Sequence, residues 1–358
     1  MHRALTTTLL LLSAASAAPT LPAGGVYRGT VGTLPVVLKL AGENSAYFYT
    51  SRGVNLRLTP ARDDAGRLRL TEVVRDYEAD NGTRVTGRFV LSPNGAALRG
   101  TWTDANGTRT LPVNLAPVRG ADVPPALPLT PVLKALRASD VFNYLRVNHA
   151  WVSVPAQKAF GGLGGVREPH SGVTYPRVPG AAALNGALQD LQLTEALDAL
   201  ECESTVPPTQ DPELRAWEAS TRVEYRTTRT LTLVTEGMGF CAGAHPFDIA
   251  DAVTLDTRTG ARVNVRGIWS DLSDKALRTL YRQQYARTRA TPDDQPCREA
   301  INDGSDTPDV YPTARGLALW LPGLPHVIFA CNEVITVPYA QLRPALNKAG
   351  AYAADFQR

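Results

Sequence analysis

Residues 85–115 of this chain read VTGRFVLSPNGAALRGTWTDANGTRTLPVNL. Three runs of alternating apolar and polar residues lie within this stretch, at 85–91, 97–103 and 110–115. An Asn-Gly pair separates each run from the next. Alternation with a period of two is typical of a half-buried β-strand, and Asn-Gly readily takes the positive φ that a tight hairpin turn requires. The stretch therefore predicts three antiparallel strands joined in sequence order.

The same pattern continues upstream. Five further alternating runs lie at 26–31, 35–40, 46–50, 54–58 and 68–73, and turn residues at 64–66 and 81–82 separate some of them. Eight short strands at this spacing predict an all-β meander that forms an eight-stranded, barrel-like domain over residues 24–118. A barrel of this size is filled by side chains or holds one small ligand. The sequence leaves both alternatives open.

A proline-rich segment follows the predicted barrel. Residues 119–131 contain four prolines and are predicted to form a linker. At its end, Thr130 suits an N-cap and Pro131 suits the first position of a helix. We divide the rest of the chain into domains at 132–235 and 236–348. The predicted fold class is α+β, a barrel-like domain followed by an α+β module with an antiparallel sheet and packed helices.

Two further helices and a long strand are predicted from the residue pattern of the module. The first helix covers 184–200, where five apolar residues recur at roughly helical spacing, and we expect it to pack on strands near 151–154 and 222–227. A strand is predicted at 229–239. The second helix begins at a cap formed by Asp271 or Ser273. Its apolar stripe consists of Leu277, Leu280, Tyr281 and Tyr285.

A short motif and a turn signal follow the predicted strand. Residues 240–246 read FCAGAHP, and two alternating runs at 253–255 and 261–265 are joined by the sequence DTRTG. Asp256 can accept hydrogen bonds from the amides of the turn, and Gly260 can take the left-handed conformation. These features predict a β-hairpin with a short loop.

The motif and the hairpin resemble the DUF3298 family, which has a Gly-Gly-Ala-His-Pro segment before the same strand, Asp, Thr-Gly, strand arrangement. Ala242 stands where that family has its first glycine. Residues 316–321, 333–339 and 339–342 resemble its last strands and closing helix. Residues 151–199, which include VTYPRV at 173–178, resemble the 4163-type domain (DUF4163) that usually precedes it. Such paired domains form the extracytoplasmic part of anti-sigma factors that bind lysozyme, and lie beside some peptidoglycan deacetylase domains. The resemblance implies an envelope-facing binding module.

The N-terminus predicts export. A basic start at His2 and Arg3 precedes an apolar run over 5–15 that is too short to span a bilayer, and Ala-Ser-Ala at 15–17 fits a signal-peptidase site. We predict a signal peptide over residues 1–17, cleaved after Ala17. No later run of 18 apolar residues predicts a transmembrane segment. The expected location is extracytoplasmic, either periplasmic or secreted.

Four cysteines, Cys202, Cys241, Cys297 and Cys331, lie in the C-terminal half. In an exported chain an even count favours two disulfides, and four cysteines allow three connectivities. We predict sequential pairing, Cys202 with Cys241 and Cys297 with Cys331, which would contribute about 2–4 kcal/mol each. A zinc site is the competing interpretation. It is disfavoured because the nearest two cysteines are 34 residues apart in sequence.

The charge pattern argues against nucleic-acid binding. The net charge is +3, and although 37 residues are Lys or Arg, the arginines alternate with acidic residues along predicted strands. Nucleic-acid-binding domains instead concentrate basic residues on one face. We expect no nucleic-acid partner.

No catalytic motif is recognisable. After residue 17 the four histidines, His149, His170, His245 and His326, are each at least 21 residues from the next. Neither a His-Glu-x-x-His nor a Gly-x-Ser-x-Gly signature is present. We therefore predict no catalytic residue, no metal site and no cofactor.

The best candidate for ligand contact is His245, with Asp248 and Asp251 close enough in sequence to orient it. The alternative is that His245 bonds a backbone carbonyl in a tight corner beside Cys241. Our interpretation is a non-enzymatic protein that binds a protein or a peptidoglycan-type cell-wall ligand. Two alternatives remain: a cell-wall-modifying hydrolase that uses His245, and an inhibitor of a lysozyme-type enzyme. The sequence does not indicate the oligomeric state.

Overall fold

A computed structural model describes residues 24–63, 66–80, 82–206, 216–243, 245–270, 272–289, 291–304, 306–321, 324 and 326–357. The predicted signal peptide at 1–17 lies outside the described residues, as do two residues of the predicted turn at 64–66 and one of the turn at 81–82. In the part of the chain that the structure describes, no helix is both long and apolar enough to cross a membrane.

The N-terminal region is a closed antiparallel barrel of eight strands, which confirms the prediction. The strands are β1 (Gly25–Val31), β2 (Leu34–Leu40), β3 (Ala46–Tyr49), β4 (Leu56–Arg62), β5 (Leu68–Arg75), β6 (Thr83–Asn94), β7 (Ala97–Asp104) and β8 (Thr110–Pro117). Each strand pairs with the next, and β8 closes the barrel by pairing with β1. The order is that of an up-and-down meander, as the short turns require.

Apolar side chains pack together inside the barrel. Every strand contributes at least one buried apolar side chain to a single cluster. One carboxylate lies among them: Glu72 is only 5% exposed. It accepts hydrogen bonds from the Tyr47 hydroxyl (2.6 Å), the Thr86 hydroxyl (2.6 Å) and the Trp102 indole (2.8 Å). Because a buried carboxylate is costly unless it is hydrogen-bonded, these three donors explain how the barrel tolerates Glu72.

The C-terminal region combines six helices with three antiparallel sheets in the described residues, and the α+β class is confirmed. The helices are α1 (Pro131–Ser139), α2 (Val141–Val147), α3 (Ala182–Glu203), α4 (Asp274–Thr288), α5 (Gln295–Asp303) and α6 (Tyr339–Leu342). The strands are β9 (Val152–Val154), β10 (Gly165–Arg167), β11 (Thr174–Pro176), β12 (Trp217–Arg226), β13 (Thr230–Gly239), β14 (Phe247–Asp256), β15 (Asp309–Pro312), β16 (Leu317–Trp320) and β17 (Ile335–Val337).

Two cores organise this region. Helix α3 packs its buried face on the sheet β12–β13–β14, through a cluster that includes Leu188, Leu233 and Val253. Helix α4 packs on β16 and β17 in a second cluster, which includes Tyr281 and Val337. The predicted helix starts are confirmed at both caps that the structure describes. The Thr130 hydroxyl accepts from the amide of Leu133, and the Ser273 hydroxyl accepts from that of Ala276. The alternative cap Asp271 lies outside the described residues.

The hairpin predicted after the FCAGAHP motif is only partly formed, and the prediction of its second strand at 261–265 is wrong. Strand β14 begins at Phe247, earlier than predicted, whereas residues 261–265 meet it through one isolated bridge between Leu255 and Arg262. Pairing stops because Val265 takes a helical conformation (φ −59°, ψ −40°), which starts the short 3₁₀ helix Arg266–Ile268. The roles of the turn residues are confirmed. Asp256 accepts from the amides of residues 258 and 259, and Gly260 has φ 72°.

The barrel contacts the α-helices directly. Phe142 of α2 meets Phe48 of β3 with ring centroids 5.1 Å apart, and the Lys39 ammonium lies 5.0 Å from the Phe142 ring centroid. The proline-rich segment is also anchored, since the Arg137 guanidinium donates to the Gly120 carbonyl at 2.8 Å. The division of the chain at residue 118 remains a prediction.

Candidate functional site

His245 lies in the corner between β13 and β14. Its side chain is exposed, and its Nδ1 is 2.8 Å from the carbonyl oxygen of Pro246. The neighbouring Cys241 is bonded to Cys202 near the end of α3, and the second disulfide joins Cys297 to Cys331. Both predicted pairings are confirmed. The disulfide therefore ties the corner that carries His245 to α3.

The two aspartates predicted to accompany His245 point to opposite faces of β14. Asp248 lies opposite Met238, and Asp251 lies opposite Thr235 on β13. They are three residues apart, and side chains alternate between the faces of a strand, so the two carboxylates are on different sides of the sheet. Asp251 shares its face with Val253, the face that packs on α3.

The end of the sheet β12–β13–β14 next to His245, here called the sheet end, carries exposed apolar side chains. It consists of two cross-strand rows. Trp217, Gly239 and Phe247 form one row, and Glu218, Met238 and Asp248 form the other. Phe247 is 38% exposed and Met238 is 44% exposed, on opposite faces. The Trp217 and Phe247 ring centroids are 6.2 Å apart across Gly239. A Cβ at Gly239 would lie 2.4 Å from the Phe247 ring, so only glycine permits this packing.

Acidic groups surround the sheet end. Glu218 and Asp251 are exposed, and Asp248 is half-buried. Behind Trp217 lies Glu195 of α3, which accepts a 2.7 Å hydrogen bond from the Tyr175 hydroxyl. Burial raises the pKa of the Glu195 carboxyl and the negative charge of Asp251 raises it further, although hydrogen bonds such as that from Tyr175 partly oppose the shift.

A second constellation joins two of the histidines. His149 follows α2, and Glu168 and His170 lie in the loop between β10 and β11. The His149 Nε2 is 2.7 Å from the Glu168 Oε1, the His170 Nδ1 is 3.8 Å from the same oxygen, and the two imidazole centroids are 4.4 Å apart. The Glu168 side chain is fully buried, whereas those of His149 and His170 are 26% and 14% exposed. We call these three residues the His–Glu–His cluster.

Hydrogen bonds hold Glu168 in its ionised form. Burial alone would raise the pKa of this carboxyl, but the hydrogen bonds from His149, from the Ser171 hydroxyl and from the amides of residues 170 and 171 outweigh it and lower the pKa to about 2. Burial lowers the pKa of His170, and its electrostatic interactions with His149 and Arg146 lower it further against the attraction of Glu168. The cluster thus combines a carboxylate with a His170 ring whose neutral form is favoured.

The cluster lies where the barrel meets the helices. Arg146, which is fully buried, donates to the Gly53 carbonyl of the β3–β4 loop at 2.5 Å and to Glu201 at 3.2 Å. Gly53 itself packs on His170, and a Cβ there would lie 2.7 Å from the His170 Nδ1. Because Gly53 also has φ 71°, both its conformation and its contact require glycine.

Sequence reasoning missed this cluster, because His149 and His170 are 21 residues apart and only the turn back through β9 and β10 brings them together. The local signal was Glu168 two residues before His170. Two residues with metal-ligating side chains in one short loop would have justified a search for a third ligand elsewhere.

No protein-family model matches the chain, and no curated protein matches it. Among solved structures, the chain is similar to a crystal structure of a member of the DUF3298 family from Bacteroides fragilis NCTC 9343, with 11% sequence identity and a TM-score of 0.31. The match covers 85% of this chain and 98% of that chain. That neighbour is from the family that the FCAGAHP motif resembles. The 4163-type resemblance remains a prediction.

Proposed function

We propose that this chain is a non-enzymatic, extracytoplasmic binding protein whose ligand is a protein with a basic surface, and that the sheet end is where it binds. The observation that carries the proposal is the exposure of Phe247 on one face and Met238 on the other at the same end of a sheet. Protein interfaces typically have an apolar centre with aromatic and Met side chains and a polar rim. The sheet end has this composition.

The charges around the sheet end favour a basic partner. Two acidic residues, Glu218 and Asp248, lie in one of its cross-strand rows. A third, Asp251, lies three residues further along β14. Complementary charge across an interface speeds association and disfavours partners of like charge. A cationic protein such as lysozyme, which is the ligand that the DUF3298 resemblance implies, is therefore the first partner to test.

The extracytoplasmic location is supported by the two disulfides, because disulfides persist in oxidising compartments. The predicted signal peptide points the same way.

The test measures lysozyme binding by biolayer interferometry with the full mature chain. We expect Phe247→Ala and Met238→Ala each to weaken binding about tenfold or more, as truncation of a central interface side chain does. The matched control is Leu34→Ala, since Leu34 is a 48% exposed apolar residue on β2 of the barrel. Because surface charge is screened by salt, the affinity should also fall as salt is added.

Equal binding by the Phe247→Ala, Met238→Ala and Leu34→Ala variants would refute the assignment to the sheet end. If the chain sediments with purified peptidoglycan but does not bind lysozyme, the ligand is a cell-wall component and not a protein. Release of sugars, peptides or acetate from peptidoglycan, abolished by His245→Ala, would replace the binding function by the hydrolase alternative. An assay of lysozyme activity in the presence of the chain separates simple binding from inhibition.

A further inference from the structure

We propose that His149, Glu168 and His170 form a binding site for one divalent transition-metal ion, and that Zn²⁺ is the ion whose ligand preferences match it best. One ligand atom from each residue lies within 4.8 Å of the other two. Two imidazole nitrogens and one carboxylate oxygen are a donor set that zinc sites use. The site is separate from the sheet end and does not depend on the proposed function.

Glu168 is already oriented for this role. Its Oε2 accepts from the Ser171 amide (2.5 Å) and the Ser171 hydroxyl (2.6 Å), which fixes the carboxylate in its loop. Its Oε1 is directed to the imidazole of His149. Partners of this kind orient the ligands in known metal sites.

The His170 ring carries a buried nitrogen that the hydrogen-bond network of the cluster leaves without a partner in the described residues. This nitrogen is Nδ1, and at 3.8 Å the Glu168 Oε1 is too far for a hydrogen bond. A buried polar atom without a partner calls for a specific explanation, such as an ion or a water.

The spacing of the ligand atoms is compatible with a bound ion. Bonds of about 2.1 Å around a tetrahedral zinc place its ligand atoms about 3.4 Å apart. The observed separations from the Glu168 Oε1, 2.7 Å to His149 and 3.8 Å to His170, lie on either side of this value. The His149 side chain has room to change its distance to Glu168, because it is 26% exposed and the residue lies just after the end of α2. The same exposure gives a water molecule access to a fourth coordination position.

Electrostatic opposition comes from Arg146, whose positive charge acts on both Glu168 and His170. That charge is partly neutralised by Glu201, 3.2 Å away. An ion at the cluster would be bound both by His149, after α2, and by the β10–β11 loop. That loop packs on Gly53 of the barrel through His170. We therefore expect the ion to stabilise the junction between the barrel and the helices.

The test uses the tag-free mature chain, stripped of metal with a chelator and titrated with Zn²⁺ by calorimetry. We expect one ion per chain and a higher melting temperature with Zn²⁺, because a ligand that binds the folded state stabilises it. His149→Ala and His170→Ala should each weaken Zn²⁺ binding by about 100-fold. The control is His245→Ala, which removes an exposed histidine outside the cluster and should bind Zn²⁺ like the wild type. All four cysteines are in disulfides and do not compete.

Circular dichroism of each metal-free variant verifies its folding. If a variant fails to fold, Co²⁺ is added to the wild type: an absorption band of a tetrahedral Co²⁺ site with imidazole ligands, removed by one equivalent of Zn²⁺, supports the site. A wild type that takes up no Zn²⁺ at millimolar concentration overturns the proposal. So does loss of binding in the His245→Ala variant but not in the His149→Ala and His170→Ala variants.

Discussion

Asp256 shows how one side chain can hold a turn and a chain end together. Its Oδ1 accepts from the amides of Arg258 and Thr259, and its Oδ2 accepts from the Tyr352 hydroxyl at 3.1 Å. Burial raises the pKa of this carboxyl, but the hydrogen bonds from Thr259, Arg258 and Tyr352 outweigh it, so the pKa is lower than the usual 3.8. The folded state therefore favours the ionised form.

We expect Asp256→Ala to reduce the free energy of unfolding by about 1–3 kcal/mol at pH 7, because buried donors lose their acceptor. The pKa is lower in the folded state, so the stabilisation by the carboxylate is complete above the unfolded pKa of about 4 and disappears as the pH falls through the folded value. Urea unfolding of wild type and variant from pH 7 to pH 2.5 should show a constant difference down to about pH 5 that then shrinks. Asp122→Ala, at an exposed carboxylate, is the control and should change stability by less than about 0.5 kcal/mol. A difference between wild type and Asp256→Ala that grows on acidification would contradict this account.

Single residues also mark the limit of sequence reasoning. Asp256 and Gly260 were assigned correctly because a turn is decided by neighbours within five residues. The cluster of His149, Glu168 and His170 was missed because its geometry depends on how α2 and the β10–β11 loop pack, and that packing has no local pattern. Closeness in sequence points to His245, Asp248 and Asp251 as a group, but the alternation of side chains along β14 separates the two carboxylates.

At the scale of elements, regular patterns predicted regular structure. The eight barrel strands follow from alternation and turn residues, and the helices α1, α3 and α4 follow from caps and from the helical spacing of apolar residues. The first half of β14 was not predicted, because two aspartates and two alanines within 247–252 are poor strand formers. That segment forms a strand because it pairs along the whole length of β13. It carries Phe247, so the sheet end became recognisable only in the structure.

The two disulfides provide a prediction about elements. Cys202–Cys241 and Cys297–Cys331 span 39 and 34 residues, and the entropy cost of closing a loop varies only with the logarithm of its length. Replacing both cysteines of either pair by serine should therefore reduce stability by a similar amount, about 2–4 kcal/mol. Differential scanning calorimetry of the two double variants measures this.

The barrel strands contain no cysteine, so a reductant should lower the melting temperature of the C-terminal region and leave that of the barrel unchanged. Two double variants with unequal losses, or a barrel transition that shifts with reductant, would show that this account is wrong.

At the scale of the whole molecule, the barrel and the helices share a packed contact. Phe142 of α2 is buried between Phe48 and Val37 of the barrel, and Arg146 reaches Gly53 from the same helix. Asn55, on the same side of the barrel, bonds Ser204 and Glu201 at the end of α3. The His–Glu–His cluster adjoins this contact. The proline-rich segment 119–131 is therefore one of several connections between the two parts.

This contact controls how accessible the segment 119–131 is to a protease. Truncation of a buried Phe costs about 3–5 kcal/mol, and for Phe142→Ala that loss falls on the contact between barrel and helices. We expect limited proteolysis to cut 119–131 slowly in the wild type and several-fold faster in Phe142→Ala, giving a β-rich fragment and a disulfide-containing fragment. The matched control is Phe356→Ala, an equally buried Phe in the core around α4, which should destabilise the chain without speeding cleavage of that segment. If the fragments stay folded after separation, as the predicted division at residue 118 requires, circular dichroism will show two independent transitions. Equal cleavage rates in the two variants would mean that the contact through Phe142 does not protect the segment.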